Sequence, residues 1–395
     1  MDKDFRFPQT WKSNLAVDAK LPFGIVGTLE GIYGRDLYVA AGENVNLKDP
    51  TNLAITGYGD TRPMYPNSVN GRQVVNANVT TGAPQTTGTQ VTNAVKMTNA
   101  KGGYNWAITG QLTKNFFNGL SIMAAYTRTD QRNYGDLSGD QLYNLWSLPQ
   151  TSGNPNKPML SYSSNLNPDR VIASVSFRKE YFKNLATQVS LFYEGAQQGR
   201  FSYTYSGDFN RDGSSGNDLI YVPKDASEIT FVTVPTNQVT STVAGITTVR
   251  NYPKAYTPQE QSDAFFAYIE QDDYLRSRKG QYAERNGGKS PWRNQVDFRL
   301  TQEIFRNIGS SKNSVQFSVD IFNFGNLLNK NWGEINFVNN AAILLPQNIA
   351  AINNTTRPTF LLASSQADVV KTTFGTSQTI SSTYYMQFGL RYNFN

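Results

Sequence analysis

The chain has 395 residues, of which 38% are hydrophobic, 13% aromatic and only 17% charged, with a net charge of +6. Because Cys and His are both absent, disulfide frameworks, Cys or His metal sites and Ser–His–Asp chemistry are excluded. The net positive charge is small and the sequence has no run of Lys and Arg, so the composition does not indicate nucleic-acid binding. A carboxylate enzyme stays open, but the usual residue for proton transfer at neutral pH is missing, so we expect no enzyme.

Alternating apolar and polar residues recur along the chain in three pairs of segments. A period of two over about 9 to 11 residues is typical of strands in membrane β-barrels, where one face meets lipid. The apolar positions are Tyr104, Trp106, Ile108 and Leu112, then Leu120, Ile122, Ala124 and Tyr126; Val171, Ala173, Val175 and Phe177, then Thr187, Val189, Leu191 and Tyr193; and Val296, Phe298 and Leu300, then Val315, Phe317, Val319 and Ile321.

The connections between these segments alternate between short and long. Each pair is joined by a short link with an aromatic residue before an Asn, whereas long polar stretches cover 41–102, 129–169 and 196–293. Outer-membrane barrels have short periplasmic turns and long outer loops in the same way. A soluble β-sandwich or β-solenoid is the alternative, but long loops between paired strands fit it poorly.

The number of strands predicts that the chain is only part of a barrel. A first hairpin, Asn14–Ala19 with Thr28–Val39, turns at 21–24, and a possible fifth pair covers Asn331–Val338 and Pro358–Ala363. With one terminal strand the count is nine or eleven. A bacterial barrel has an even number of strands and both ends in the periplasm, so an odd set that starts outside lacks its opening strand.

Residues 208–218 carry a candidate metal site. Asp208, Asn210 and Asp212, followed by Gly213, have the D-x-N-x-D-G spacing that begins a calcium loop. The twelfth position is Leu219 rather than Glu, which excludes a complete EF-hand loop, although Asp218 could supply a further carboxylate. The alternative is an Asx-rich turn in a solvated loop.

Two other loop segments are predicted from local signals. Thr257 and Glu260 form a capping box with Pro258 between them, which predicts a helix through Phe265, Tyr268 and Ile269. We expect this helix to decorate an outer loop, with a ligand gate as the alternative. The stretch 80–95, rich in Thr, Gly, Gln and Asn, is predicted to be a flexible loop.

The C-terminus predicts a final barrel strand. Apolar and aromatic residues alternate there and end in Tyr392 and Phe394, which we expect to face lipid near the periplasmic interface. Gln387-x-Gly389-x-x-Tyr392-x-Phe394 resembles the terminal signal that directs outer-membrane barrels to the assembly machinery. The usual signal stops at the final aromatic, whereas Asn395 follows here. We expect Tyr392 and Phe394 to drive assembly.

Three longer segments resemble a known family. Residues 5–18 with 21–24, 286–297 and 319–333 are similar to the barrels of TonB-dependent outer-membrane receptors of the Bacteroidetes type, closest to Oar-like receptors with an upstream carboxypeptidase-regulatory-like domain. The resemblance covers nearly the whole chain. It implies that residues 1–395 are the C-terminal part of a transmembrane antiparallel β-barrel of about 22 strands. It also implies a plug domain and TonB box upstream, since neither is found here.

The function implied by this resemblance is TonB-energised import of a nutrient, whether peptide, glycan or chelate. The alternatives are a passive porin-like channel and a structural or secretion-complex barrel that transports nothing. The expected partners are outer-membrane lipid, the remaining barrel and plug of the same receptor, the TonB complex through the plug and the barrel assembly machinery, with a surface lipoprotein as a further candidate. The loops, which contain short helices, would be extracellular and the C-terminus periplasmic. The candidate cofactor is Ca²⁺ in an outer loop.

Overall fold

The computed structural model describes residues 1–74, 93–136, 139–182, 185–235, 238–243, 246–306, 313–364 and 368–394. Strands make up 47% of the structure and helices 12%, so the protein is all-β with short helical insertions. Its main element is one large antiparallel sheet. No helix within the described ranges combines the length and the apolar character needed to span a membrane.

Nine consecutive strands form the path of this sheet, and each pairs antiparallel with its neighbours in the chain. The strong pairs predicted from the sequence are therefore confirmed. Two short strands, Val95–Ala100 and Ser161–Tyr162, pair with β2 and β4 at the edge of the same sheet. The nine strands are β1 (Gln9–Leu21), β2 (Ile25–Asn44), β3 (Tyr104–Asn115), β4 (Leu120–Asn133), β5 (Asp169–Tyr181), β6 (Leu185–Gln197), β7 (Trp292–Arg306), β8 (Ser314–Phe322) and β9 (Tyr385–Asn393).

Short and long connections lie at opposite ends of the nine strands. The link from β1 to β2 is the turn Pro22–Gly24, and the link from β3 to β4 is 116–119. The two other short links contain residues outside the described ranges. At the other end, the connections cover 45–103, 134–168, 198–291 and 323–384. The alternation predicted from the sequence is thus confirmed.

The long connections carry the remaining secondary structure. The helices are α1 (Val69–Arg72), α2 (Asn144–Ser147), α3 (Pro258–Gln271), α4 (Asp273–Ser277) and α5 (Phe324–Leu328), with 3₁₀ turns at Ala226–Glu228, Ile349–Ala351 and Ile380–Ser382. The further strands are Thr51–Asn52, Pro63–Met64, Arg200–Phe201, Tyr221–Val222, Gln238–Val243, Ile246–Asn251, Gln281–Tyr282, Gly288–Lys289, Asn336–Val338, Leu344–Pro346, Phe360–Leu362 and Phe374–Thr376.

Helix α3 begins where the capping box predicted. The Thr257 hydroxyl accepts a hydrogen bond from the Glu260 amide at 3.1 Å, and the Glu260 carboxylate accepts one from the Thr257 amide at 2.8 Å. This exchange satisfies backbone donors that a helix start leaves free. Phe265, Tyr268 and Ile269 are fully buried on one side of the helix. The helix is therefore confirmed, and it packs into a core instead of decorating a surface.

The hydrophobic core of the protein lies in the long connections. We call the packed structure that these connections form the loop unit. Its core combines chain segments far apart in sequence, from Leu53 through Tyr205 and Phe265 to Leu362. Aromatic rings stack in its centre, where Phe360 lies 5.5 Å from the Tyr205 ring and 5.9 Å from the Phe209 ring. Distant segments thus form a folded unit rather than independent loops.

The possible fifth strand pair is wrong. Asn336–Val338 pairs with Phe374–Thr376, and Phe360–Leu362 pairs with Leu344–Pro346. The residues of Phe360–Leu362 are all buried in the core of the loop unit. A strand buried on both sides is apolar throughout, whereas a strand of the main sheet alternates. Within the described residues the main path therefore has nine strands, the lower of the two predicted counts.

The stretch 80–95 falls largely outside the described residues. Residues 75–92 are not described, and Val95 belongs to the strand Val95–Ala100. The prediction of a flexible loop is therefore wrong for Val95, because backbone pairing with β2 extends that strand to the end of the segment.

Candidate functional site

The main sheet has one continuous apolar face. From β4 to β9, apolar residues pair directly with apolar residues of the next strand. Two rows of paired residues are therefore apolar in all six strands. The first row is Leu120, Phe177, Val189, Leu300, Val319 and Phe388. The second row is Ile122, Val175, Leu191, Phe298, Ile321 and Met386. We call this surface, with its continuation over β1 to β3, the apolar face.

Large side chains on the apolar face are exposed. Phe388 is 66% exposed, Leu390 74% and Leu29 60%. Many others on the same face, among them Leu15, Ile108 and Val175, are also exposed. A soluble monomer rarely exposes an apolar patch of more than a few hundred Å². A face of this extent therefore marks a surface that meets an apolar partner.

The opposite face is polar and carries ion pairs. One row of paired residues there is Ser121, Ser176, Ser190, Arg299, Asp320 and Gln387. Arg170 pairs with Glu194 at 2.6 Å, and Arg299 with Asp320 at 3.3 Å. Exposed pairs of this kind contribute about 0–1 kcal/mol each. They contribute little to stability, but they identify a surface suited to water.

Aromatic residues bound the apolar face at the end near the long connections. The hydroxyl of Tyr126 donates to Asp169 at 2.6 Å, and that of Tyr193 donates to Asn294 at 2.7 Å. Arg128 also pairs with Asp169. From Leu120 to Tyr126 a strand rises about 20 Å. Tyrosines with an apolar body and a hydrogen-bonded hydroxyl are typical of a boundary between apolar and aqueous surroundings.

The end near the short links is also aromatic, and two of these residues have unfavourable backbone angles. Phe23 has φ 62° and Phe182 φ 50°, in the left-handed region that favours glycine. Both side chains are exposed, as is Phe117 in the link between β3 and β4. Glycine would adopt these backbone angles with less strain than phenylalanine does. The aromatic ring therefore indicates a role for the side chain at this edge of the sheet.

The acidic loop, residues 208–218, is ordered around its own carboxylates. Asp208 Oδ2 accepts a hydrogen bond from the Gly213 amide at 2.9 Å, between the first and sixth positions of the predicted motif. Asp212 accepts from the Ser214 amide and from the Asn217 side chain at 2.8 Å. The structure thus brings these groups into a single compact loop.

The remaining predicted residues, Asn210 and Asp218, lie in the same loop. Asn210 Oδ1 accepts from the Asp212 amide at 2.8 Å, and its Nδ2 donates to Asp212 Oδ2 at 3.2 Å. Asp218 Oδ2 accepts from the Phe209 amide at 2.8 Å and from the Asn210 amide at 3.1 Å. All four predicted residues are therefore neighbours. The Asx turns of the alternative interpretation are present at Asn210 and Asp212, but the loop is not solvated, since three of the four residues are buried.

The environment of the acidic loop disfavours negative charge. Burial raises the pKa of Asp208 to about 7, and repulsion from Asp212 adds to the increase. Burial also raises the pKa of Asp212 and, together with the nearby Asp212 carboxylate, that of Asp218. Three carboxylates therefore lie close enough to interact in a poorly solvated place.

A buried arginine next to this loop was not predicted from the sequence. Arg62 is 1% exposed and binds Asp60 at 2.9 Å. Its guanidinium lies 4.8 Å from the Tyr205 ring and 4.7 Å from the Phe209 ring, so it also makes cation–π contacts. Arg62 donates to the Leu219 carbonyl at 2.9 Å. No spacing in the sequence connects position 62 with 205–219, so only folding reveals this cluster.

The acidic loop contacts several other segments of the loop unit. The Tyr65 amide donates to the Asn210 carbonyl at 2.9 Å, and the Thr151 amide to the Asn217 carbonyl at 2.8 Å. Arg211 donates to the carbonyls of Ile349 and Ile352. The loop, which lies in the connection 198–291, therefore contacts each of the three other long connections.

A cavity of about 530 Å³ lies between α4 and the start of β7. Aromatic rings and polar side chains share its wall, including Phe201, Asp273, Tyr274, Lys289 and Trp292. Cavities of this size and mixed character accommodate small ligands.

The chain matches no protein-family model, and neither a curated protein nor a solved structure is significantly similar to it. Any functional assignment therefore depends on the residues and geometry described above.

Proposed function

We propose that this chain is the C-terminal part of a TonB-dependent transporter β-barrel in the outer membrane. In this proposal the apolar face contacts lipid and the polar face lines the lumen. The observation that carries it is the pair of apolar rows that crosses six strands and in which no residue is buried. Lipid removes the cost of exposing such a face, since membrane barrels have an apolar outer band about 25 Å tall between aromatic girdles.

The connections and the two end strands also support this proposal. Long connections at one end match outer loops, and short links at the other match periplasmic turns. β1 and β9 lie at the two ends of the sheet path, and within the described residues neither pairs with the other. Unpaired strand edges promote association, so we propose that the remaining strands of the same receptor pair with them. The plug and its TonB contact would belong to that remainder.

Topology is testable because the natural chain contains no cysteine. Ser215→Cys places a thiol on the acidic loop, and Asn118→Cys places one in the link between β3 and β4. On intact cells a membrane-impermeant maleimide should label the Ser215→Cys variant and leave the Asn118→Cys variant unlabelled until the outer membrane is permeabilised. Equal labelling of the two variants, or recovery of the protein in the soluble fraction, would contradict the membrane assignment.

Energy coupling needs a separate test. Cells that express the complete receptor would be compared with and without TonB during growth on peptide, glycan or chelate sources. Growth that the receptor enables only with TonB supports active transport. Growth that persists without TonB supports the porin-like alternative, and no effect of the receptor on any source supports a structural barrel.

A further inference from the structure

Negative charge in the acidic loop is only partly balanced by nearby basic side chains, of which Arg72 Nη1 lies 3.8 Å from Asp208 Oδ2. Asp212 and Asp218 are each 1% exposed. Arg62 Nη1 lies 3.7 Å from Asp218 Oδ1, which is too far for a hydrogen bond, and Arg62 also serves Asp60. Among the residues that the structure describes, no Lys or Arg nitrogen lies within 4 Å of Asp212. Burial of a carboxylate without a cation is costly, so Asp212 lacks the positive partner that would offset its burial.

Three side-chain oxygens in the loop are also buried without a hydrogen-bond donor. They are Asp208 Oδ1, Asn217 Oδ1 and Asp218 Oδ1. Each of these side chains is anchored through its other polar atom, to Gly213, Asp212 and Phe209 respectively. Buried polar atoms in native proteins almost always have a partner. Three such oxygens in one loop, beside the buried Asp212 carboxylate, are suited to a ligand that is positive and binds oxygen.

We propose that the acidic loop binds a calcium ion through oxygens of Asp208, Asp212, Asn217 and Asp218. Calcium takes six to eight oxygen ligands, including carboxylates, amide carbonyls, backbone carbonyls and water, in flexible geometry. Among the described residues no three acidic side chains are arranged to hold a metal by themselves. In this proposal the Asn217 amide oxygen, backbone carbonyls and water would complete the site, a ligand set that suits calcium better than magnesium.

The ion would brace the loop unit, which is a role independent of transport. The acidic loop is hydrogen-bonded to the segments around Tyr65, Thr151 and Ile349, which belong to the three other long connections. Tightening the loop around an ion therefore fixes all four connections relative to one another. Removal of the ion would loosen this unit and leave the main sheet paired.

The test compares the melting of the purified complete receptor in detergent with about 5 mM CaCl₂, with MgCl₂ and with EGTA. A ligand that binds only the folded state raises the melting temperature, and we expect calcium to raise it by about 5 °C over EGTA. Magnesium should have little effect. Asp212→Asn should abolish the calcium shift. Asp263→Asn, at an exposed position on α3, should keep it and serves as the matched control.

A second measurement keeps the test decisive if Asp212→Asn does not fold. Terbium titration of the unmutated complete receptor should give tyrosine-sensitised luminescence that calcium reverses. Absence of both the luminescence and the calcium shift would overturn the proposal, as would an equal shift with magnesium or in Asp212→Asn. Because these readouts measure only binding and stability, they are independent of TonB and of transport.

Discussion

The main sheet and the loop unit use apolar residues in opposite ways. In the sheet, Leu191 and Phe388 are exposed on a face shared by nine strands, whereas in the loop unit Phe265 and Phe360 are buried among aromatic neighbours. The loop unit folds as water-soluble domains do, around a closed core. The sheet would satisfy its apolar residues only through surroundings outside the described chain. One chain therefore combines a part that buries its apolar side chains with a part that exposes them.

The largest expected effect comes from truncation of an aromatic residue in the core of the loop unit. Phe360→Ala removes a ring that stacks on Tyr205 and contacts Phe209. We expect the loop unit to lose about 3–5 kcal/mol of stability, since large-to-small changes in a core add a cavity to the lost burial. Limited proteolysis and melting in detergent would measure this loss. Phe388→Ala, on the exposed apolar face, is the matched control and should leave the loop unit unchanged.

A charged substitution should distinguish the apolar face of the main sheet from its polar face. Leu191→Arg should reduce the folded protein in the membrane, because Arg on a lipid-facing strand costs about 2–4 kcal/mol near the bilayer centre. Ser190→Arg, one residue earlier and on the polar face, should be tolerated. Heat-modifiable electrophoretic mobility of the outer-membrane fraction is the measurement. Equal tolerance of the two variants would mean that the apolar face does not meet lipid.

Substitutions in the terminal strand test whether its aromatic residues drive assembly in the outer membrane. Tyr392 and Phe394 are exposed, with ring centroids 5.9 Å apart, and Tyr392 is on the apolar face opposite Val315. Replacement of both by Ser should lower folded receptor in the outer membrane several-fold, because a change of about 1–2 kcal/mol alters abundance to this degree. Quantitative immunoblotting of membrane fractions would show it. Asn393→Ser is the control, and normal levels of the double variant would refute the assembly role.

The smallest effect is expected from the cap of α3. Thr257→Ala removes a hydroxyl that accepts from Glu260 and should cost about 1 kcal/mol. The loop unit should then melt slightly earlier, by a degree or two, while the amount of protein in the membrane stays the same. Thr257→Ser preserves the hydroxyl and should restore the natural melting temperature. A loss as large as that of Phe360→Ala would contradict a purely local role.

The candidate site was only partly predictable. The D-x-N-x-D-G spacing located Asp208, Asn210 and Asp212, because a calcium loop is contiguous in sequence and its ligands repeat at fixed intervals. Asn217 and Arg62 were missed. Asn217 lies outside the motif positions. Arg62 is separated from the loop by at least 145 residues, so only the folded chain brings the two together. Burial of Asp212 is likewise a property of the packed unit.

The sequence by itself determined the sheet and the alternation of its connections. Each strand shows a period of two, a local pattern that survives whatever the chain does elsewhere, so Val189 and Leu191 reveal their shared face directly. Tertiary structure decided the loop unit. Phe360–Leu362 could not be distinguished from a strand of the main sheet until its neighbours were known, because a short apolar run fits either place. Core packing joins residues that are far apart in the chain, and no local pattern records which of them will meet.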